Sequence, residues 1–247
     1  MSNIRQKLLT LPDDLSKPPK GLHPGFMLDI FEGDSWIWVD YGIEGCSLLA
    51  NALAESVPET LILSFESMAS LIEEERANDD SDFVEGGIDE GRSVRAWLFE
   101  RAATGRERTE READAIISFC QLQGFLDRGL RFLSTGELRR CLLAHCLLEH
   151  PSILLLDKVL DSLDRDSRLA VLAALKAREE GALGRQNDKS RAKQAVTISI
   201  ERNTDDAPDW FTKALVLKNG KPFYQGARSS LPDLALNRAR STHELRA

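Results

Sequence analysis

The segment that most constrains the fold is a short apolar run ending in a carboxylate, Ser152-Ile-Leu-Leu-Leu-Asp157. Its apolar residues do not alternate with polar ones, which is typical of a parallel strand covered on both faces. Helical patterns stand on either side of it, at Gly136–Glu149 and Ser167–Glu179. Strands that alternate with helices predict an α/β fold with a parallel sheet core. In such a sheet Asp157 lies at the carboxyl edge, where ligands bind.

The rest of the chain fits the same fold class. Its 247 residues suffice for one large domain or two small ones. The region from Val94 to Phe132 is helical and strand-poor, which predicts a helical segment inserted into the α/β core. The remaining predicted strands are Phe26–Phe31, Trp36–Val39, Thr60–Phe65, Ala195–Ile200 and a late hairpin at Ala214–Leu217, and further helices are predicted from Ser47, at Val94–Arg101 and at Arg111–Leu122.

Composition and charge exclude several classes of protein. The net charge of −8 disfavours nonspecific binding of nucleic acid. No run reaches the roughly 20 apolar residues of a membrane span, and the N-terminal residues lack the apolar stretch of a signal peptide. The four cysteines form no C-x-x-C pair and are typical of buried thiols in a reducing compartment. We therefore expect a cytoplasmic protein, free or peripheral at the inner face of the membrane, that neither binds nucleic acid nor inserts into the membrane.

Most of the negative charge falls in one segment. Glu73–Arg92 holds nine acidic residues, two arginines and three glycines, a net charge of −7. This composition favours a solvated connector over a packed element. We expect an exposed loop between two ordered halves of the chain.

A second informative segment, Leu133-Ser-Thr-Gly-Glu-Leu-Arg-Arg140, has the pattern of a helix N-terminus. Ser134 is placed to cap the helix, and Glu137 is placed to reach back to it. The unpaired N–H groups at a helix start also form an anion site, and Gly136 would let a phosphate approach closely. The segment therefore has two possible roles, as a structural cap of the helix and as a contact for phosphate.

The order of the segments carries more information than each of them alone. Asp157 follows Gly136 by 21 residues, and Asp161-Ser-Leu-Asp164 comes just beyond it. In this order and spacing, the helix start, the apolar strand with its terminal carboxylate and the S-L-D segment resemble the ATP-binding-cassette (ABC) ATPase domain.

The resemblance implies a domain organisation as well as a fold. The fold would be a P-loop-NTPase-like parallel sheet core with N-terminal antiparallel strands. A helical subdomain would be inserted at about 93–150, within a single domain at 1–226 that is followed by a tail at 227–247. Within the family, Ser64-Phe-Glu66, the acidic loop and the L-S-T-G-E segment resemble the first half of tandem cassette ATPases associated with molybdate-transport genes, also called photorepair proteins.

The phosphate-binding loop implied by the resemblance, Asp40–Ser47, departs from the family pattern G-x-x-x-x-G-K-[ST]. Asp40 replaces the first glycine, and Cys46 replaces the lysine that would lie on the phosphates. At an effective dielectric near 20, one like-charge pair about 5 Å apart costs on the order of 3 kcal/mol before screening. We therefore expect weak binding of ATP at this loop.

The resemblance still implies ATP and Mg²⁺ as cofactors, weakly held at the chain's own site or shared with a partner. In the phosphate loop, the residues implied for ATP are Gly42, Gly45 and Ser47, and those implied for Mg²⁺ are Ser47 and Asp157.

No catalytic residue is expected, because the positions that the family uses for catalysis hold other residues. Lys158 stands where the family has the glutamate that polarises water, and a lysine that is cationic near neutral pH is not a base. Arg202 stands where the family has a histidine. Together with Cys46, these substitutions predict an inactive site. We also hypothesise that Lys158 pairs with Asp40 or Glu44.

The retained segments predict a role in a pair of domains. ABC domains work head to tail, so that the signature helix of one closes the ATP site of the other. We expect the chain to complete the site of a partner ABC domain, in a homo- or heterodimer with or without a membrane transporter subunit. A nucleotide-independent adaptor with the same fold and an atypical active ATPase stay open as alternatives. The implied ATP-contacting residues are Ser134, Thr135, Gly136, Glu137 and Asp164.

Overall fold

The computed structural model describes most of the chain in nine stretches of residues: 7–15, 26–41, 45–77, 91–101, 110–161, 163–180, 182–183, 196–201 and 208–231. The chain divides into two compact units. The first comprises Met1–Ile62, Pro151–Lys158 and Lys193–Ala247, and the second comprises Leu63–His150 and Val159–Ala192.

The first unit is built on a mostly parallel six-stranded sheet with the strand order β4-β5-β6-β3-β7-β8. Strand β3 pairs in parallel with β6 and β7, and β5 pairs in parallel with β6. The antiparallel pairs are β7 with β8 and, in a separate two-stranded sheet, β1 with β2. The elements are β1 (Lys7–Leu11), β2 (Leu28–Phe31), β3 (Ser35–Tyr41), α1 (Gly45–Ser56), β4 (Thr60–Leu63), β5 (Ile153–Asp157), β6 (Val196–Glu201), β7 (Lys213–Lys218) and β8 (Lys221–Ala227).

Helix α1 covers one face of the six-stranded sheet. Leu49 and Leu53 of the helix are fully buried in one apolar cluster with Trp38, Leu155 and Ile198 of the central strands. The opposite face of β3 carries Ile37 and Val39, which pack with Phe211. Burial on both faces is the reason why these strands are continuously apolar.

The second unit is helical. Trp97 is fully buried, and its ring centroid lies 4.9 Å from that of His145. Helix α5 has ten buried residues along its fourteen. The helices are α2 (Phe65–Ala77), α3 (Val94–Arg101), α4 (Glu110–Phe119), α5 (Thr135–Leu148) and α6 (Arg165–Glu179).

The predicted α/β class, with its mostly parallel sheet and antiparallel strand pairs, is confirmed. The late hairpin is confirmed as β7–β8, whose turn at Asn219 and Gly220 has positive φ at both residues, as a type I′ turn requires. The helical unit begins at Leu63 and also contains Val159–Ala192, so it is larger than the segment of about 93–150 that the resemblance implies. The residues at 232–247 of the predicted tail lie outside the described part of the chain.

Two element predictions are wrong. The strand predicted at Thr60–Phe65 ends at Leu63, because Ser64 caps a helix that the pattern did not indicate: its Oγ accepts the N–H of Ser67 at 3.2 Å. The predicted exposed loop at Glu73–Arg92 is helical over its first five residues, which belong to α2. The residues at 78–90 of this segment lie outside the described part of the chain.

A buried carboxylate joins the two ends of the acidic segment. The side chain of Glu75 is 1% exposed, and its Oε1 lies 2.5 Å from Nη2 of Arg92. The backbone N–H of Arg92 donates to Oε2 of the same carboxylate at 2.9 Å. The pair therefore fastens the end of the acidic segment to α2.

Candidate functional site

The carboxyl edge of the six-stranded sheet carries both Asp40 and Asp157. Strand β6 lies between β3 and β5, and Ile200 is in register with Trp38 on one side and Asp157 on the other. Asp40 lies two residues beyond Trp38 on β3. Side chains two residues apart on a strand share a face, so Asp40 lies on the face that α1 covers.

The Asp40 carboxylate lies at the N-terminus of α1. Its Oδ2 accepts the backbone N–H of Gly45 at 2.5 Å and that of Cys46 at 3.3 Å. Burial raises the pKa of Asp40 above its ordinary value, while the two N–H groups and the charge of Lys158 act in the opposite direction. Asp40 therefore caps the helix in the place where the family binds phosphate. Gly42 and Glu44 lie outside the described part of the chain.

Cys46 is a buried thiol and carries no positive charge. It is fully buried, and burial raises its pKa well above the ordinary value, with the carboxylates Asp40 and Asp157 acting in the same direction. The thiol is thus neutral at physiological pH and does not replace the missing lysine. Ser47 lies half-buried in the first turn of α1.

Lys158 follows β5 with a left-handed backbone, at φ 52°. Its Nζ lies 3.9 Å from Oδ1 of Asp157, and its charge lowers the pKa of Asp40 and of Cys46. The hypothesised pairing of Lys158 with Asp40 or Glu44 stays a hypothesis, because the ion pair that the geometry shows is with Asp157. An ammonium group next to Asp157 competes with a divalent cation for that carboxylate.

A third carboxylate at this edge, Glu201, was missed by the sequence reasoning. It is 2% exposed at the end of β6, in register with Val39, and its Oε1 accepts a hydrogen bond from Oγ of Ser199 at 2.5 Å. The signal that could have found it is the one used for Asp157, a carboxylate at the end of an apolar strand. Arg202, the next residue, lies outside the described part of the chain.

These residues do not fit ATP with Mg²⁺. The two N–H groups that would hold a phosphate already hold a carboxylate, and Cys46 supplies no charge. Two carboxylates, Asp40 and Asp157, lie on the α1 face of the sheet edge, where a triphosphate would have to lie. Among the described residues, no group of three or more acidic, histidine or cysteine side chains could hold a metal ion.

The signature segment opens α5 in the second unit. Ser134 is the N-cap: its Oγ accepts the N–H of Glu137 at 3.3 Å, and Oε2 of Glu137 accepts the N–H of Ser134 at 2.8 Å. Arg128 donates to the other oxygen of Glu137 at 2.8 Å. Partial burial would raise the pKa of Glu137, but these hydrogen bonds and the ion pair outweigh it and lower the pKa. The predicted capping box is confirmed, and Ser134 and Thr135 are both exposed.

Gly136 lies against the start of α6. A Cβ on Gly136 would meet Oγ of Ser167 at 2.5 Å, Cβ of Ser167 at 3.0 Å and Oδ2 of Asp164 at 3.1 Å. Asp164 caps α6 by accepting the N–H of Ser167 at 2.9 Å, and this bond lowers the pKa of Asp164. The close approach of two helix N-termini is therefore sufficient to require a glycine here.

Arg139 fastens the segment before Asp164 to α5. Its side chain is largely buried, and its Nη1 donates to the carbonyl oxygen of Val159 at 3.1 Å and to that of Asp161. The start of α5 and the start of α6 are thus held together within one unit. Ser162 lies outside the described part of the chain.

Residues 44–160 match the sequence model of the ABC transporter family, and this match spans both α1 and the strand that ends at Asp157. The chain thus contains a domain that matches the ABC transporter family model. It is related to ATP-binding proteins of ABC transporters, and domains of this family typically pair with a second ATPase domain and with transporter subunits.

Three relatives illustrate the relationship. The ABC transporter ATP-binding protein ModF of Escherichia coli K12 is 26% identical over 220 residues, which are 85% of this chain and 42% of ModF. The energy-coupling factor transporter ATP-binding protein EcfA1 of Bacillus subtilis 168 is 26% identical over 82% of this chain and 70% of its own length. The zinc import ATP-binding protein ZnuC of Halorhodospira halophila is 32% identical over 53% of this chain and 45% of its own length. This chain therefore spans less than half the length of ModF.

Solved structures agree on the fold. A chain of a metal-chelate type ABC transporter in an inward-facing conformation superposes with a TM-score of 0.61 at 16% identity, covering 91% of this chain and 85% of that one. A bacterial Atm1-family ABC exporter with ATP bound superposes with a TM-score of 0.59 at 18% identity, covering 89% of this chain and 39% of that one. Within the part of the chain that the structure describes, no helix is long and apolar enough to cross a membrane.

Proposed function

We propose that this chain is a non-catalytic ABC domain that completes the ATP site of a partner ABC domain with its signature segment. The observation that carries the proposal is the contrast between its two helix N-termini. The start of α1 is capped internally by Asp40, whereas Ser134 and Thr135 at the start of α5 are exposed to solvent.

The chemistry of the α5 N-terminus supports this role. A helix start presents N–H groups and the positive end of the helix dipole, both of which favour a phosphate. Ser134 adds a hydroxyl that can turn from its capping bond to an incoming anion. Arg139 holds the segment before Asp164 against the same helix, so the surface offered to the partner is already assembled. The ATP and Mg²⁺ of the pair would then be bound at the phosphate loop of the partner.

The lack of a base at the chain's own site supports the non-catalytic part of the proposal. Lys158 stands where the family has the glutamate, and its Nζ lies 3.9 Å from Oδ1 of Asp157. An ammonium group has no lone pair with which to accept a proton from water. The chain would contribute binding and positioning to hydrolysis that takes place at the partner's residues.

A nucleotide-independent adaptor is the second candidate, and a specific observation favours it. Each retained feature of the signature segment also has a structural role: Ser134 and Glu137 form a complete capping box, and Gly136 accommodates Ser167. An adaptor would need these residues for folding alone.

The deciding experiment measures ATP turnover by an ABC protein that has an intact lysine and glutamate, with and without this chain. We expect the chain to show no turnover alone and to stimulate the partner. Ser134→Arg should reduce the stimulated rate by about tenfold or more, because the arginine side chain blocks the helix start that contacts phosphate. Ser118→Arg, at an exposed serine of α4 in the same unit, is the matched control and should stimulate like wild type.

The other candidates predict different results. Full stimulation by the Ser134→Arg variant, or no stimulation by wild type, would contradict the proposal and favour the adaptor. Steady turnover by the isolated chain that is lost on Asp157→Asn would show that it is an atypical active ATPase.

A further inference from the structure

The first turn of α1 already holds an anion that belongs to the chain itself. Asp40 Oδ2 accepts the N–H groups of both Gly45 and Cys46. A Cβ added to Gly45 would meet the same oxygen at 2.8 Å, so the carboxylate lies directly on the helix start. The first N–H groups of a helix have no partner within the helix and are normally satisfied by a cap, by water or by a ligand.

We propose that Asp40 acts as an internal substitute for phosphate: its carboxylate occupies the anion cradle at the start of α1 and thereby excludes nucleotide phosphate from this domain. The inference deepens the proposed function and rests on it, since it takes the chain's own site to be non-catalytic. It identifies Asp40 as the residue that keeps nucleotide out of that site. It concerns Asp40 and the first two residues of α1.

The exclusion is steric as well as electrostatic. An N–H group that donates to Oδ2 of Asp40 at 2.5 Å has no room for a second acceptor in the same direction. The other oxygen, Oδ1, is buried without a hydrogen-bond partner among the described residues, so the carboxylate fills space that a phosphate would need. A phosphate would have to displace a charged side chain that is already hydrogen-bonded.

The charges around Asp40 suit a resident carboxylate. Lys158 is close enough to lower the pKa of Asp40 and pairs with Asp157, the residue before it at the end of β5. In the family, the positive charge comes from the loop lysine and the negative charge comes from the nucleotide. Here Cys46 replaces that lysine, Lys158 supplies a positive charge from the end of β5, and Asp40 supplies the negative charge. Both charges of the cradle therefore come from the chain.

The experiment compares wild type, Asp40→Asn and Asp40→Gly in the full chain, titrated calorimetrically with inorganic pyrophosphate without Mg²⁺. We expect the affinity for pyrophosphate to rise from wild type through Asp40→Asn to Asp40→Gly. Asparagine removes the charge but can still accept an N–H, whereas glycine empties the cradle and should bind pyrophosphate at least about tenfold more tightly than wild type. Asp14→Gly is the matched control, because Asp14 also accepts a backbone N–H at 2.5 Å, from Thr10, away from any helix start.

Two results would overturn the inference. One is a folded Asp40→Gly variant, verified by circular dichroism, that binds pyrophosphate no better than wild type. The other is an equal gain in Asp14→Gly, which would mean that only net charge matters. If Asp40→Gly does not fold, the affinity of Asp40→Asn for pyrophosphate is the deciding measurement: it should exceed that of wild type, and an unchanged affinity would overturn the inference. The titration needs no partner, so its failure leaves the proposed function intact, and failure of partner stimulation leaves this inference intact.

Discussion

Gly136 lies where two helix N-termini approach each other closely. A methyl group at this position would overlap Oγ of Ser167, at 2.5 Å. Gly136→Ala should lower the free energy of unfolding by about 2 kcal/mol, since overpacking costs about 1–3 kcal/mol and outweighs the better helix propensity of alanine. Urea denaturation measures the effect.

Two further variants separate this clash from a general effect of alanine. Gly124→Ala is the control, because a Cβ at Gly124 would meet nothing within 4 Å and should leave stability nearly unchanged. Ser167→Ala removes the overlapping Oγ and should recover most of the loss when combined with Gly136→Ala. A Gly136→Ala variant as stable as wild type would show that the glycine is not needed for packing.

Glu137 gives the signature helix a pH dependence of known sign. Its pKa is lowered from the ordinary 4.5, so its contribution to stability is present above that value and is lost as the pH falls through the lower pKa of the folded state. The free energy of unfolding of wild type should exceed that of Glu137→Gln by about 1 kcal/mol near neutral pH. The two values should converge in strong acid, once Glu137 is protonated in the folded state.

The comparison is made by urea denaturation at several pH values. Glu180→Gln serves as the control, because the pair of Glu180 with Lys176 is well exposed and should contribute about 0.5 kcal/mol or less at any pH. A Glu137→Gln difference that persists unchanged into acid would argue against the capping carboxylate as its source.

At the scale of single residues, the sequence predicts contacts within one helix better than contacts between separate segments. The capping box of Ser134 and Glu137 follows from a spacing of three residues within one helix, and it is confirmed. The contacts of Asp40 with the start of α1 and of Glu75 with Arg92 depend on how the chain returns in space. No local pattern contains that information.

Among the elements, α2 is fastened near its end to Arg92, which pairs with both Glu74 and Glu75. Glu75 is buried and holds Arg92 by three hydrogen bonds, one from the backbone and two from the guanidinium. Arg92→Ala would remove the guanidinium that pairs with this buried carboxylate. We expect a loss of about 2 kcal/mol in the free energy of unfolding, below the usual range for buried pairs because Arg92 is partly exposed.

Arg95→Ala is the matched control for Arg92→Ala. Its pair with Asp127 is well exposed, with side chains 53% and 87% exposed, and should contribute about 0.5 kcal/mol or less. Equal effects of the two substitutions in chemical denaturation would contradict a special role for the Glu75 pair.

The elements that sequence reasoning missed are those with weak local patterns. Strand β1 has only five residues and is stabilised by pairing with β2, which lies 17 residues further along the chain. Helix α2 reads as a continuation of the acidic segment, because only Met68 and Leu71 mark its apolar face. By contrast, α5 and β5 are long or fully apolar and are correctly predicted.

For the whole molecule, the topology follows from general rules more than from any residue. Parallel strands need crossover connections, and the alternation of strands with helices predicts a parallel core. The strand order β4-β5-β6-β3-β7-β8 and the grouping of α2 and α6 with the helical unit depend on long-range packing. The residues of the two candidate anion sites therefore fall into different units, α1 with Asp40 in the first and α5 with Ser134 in the second.

The distribution of tryptophans gives the two units separate optical reporters. Of the four tryptophans, Trp36, Trp38 and Trp210 lie in the first unit, and Trp97 lies alone in the second, buried beside His145. The emission lost in a Trp97→Phe variant is therefore that of the helical unit. Subtracting the denaturation trace of Trp97→Phe from that of wild type isolates the fluorescence of Trp97. Comparing this difference with the trace of the variant would reveal whether the two units unfold together or in succession.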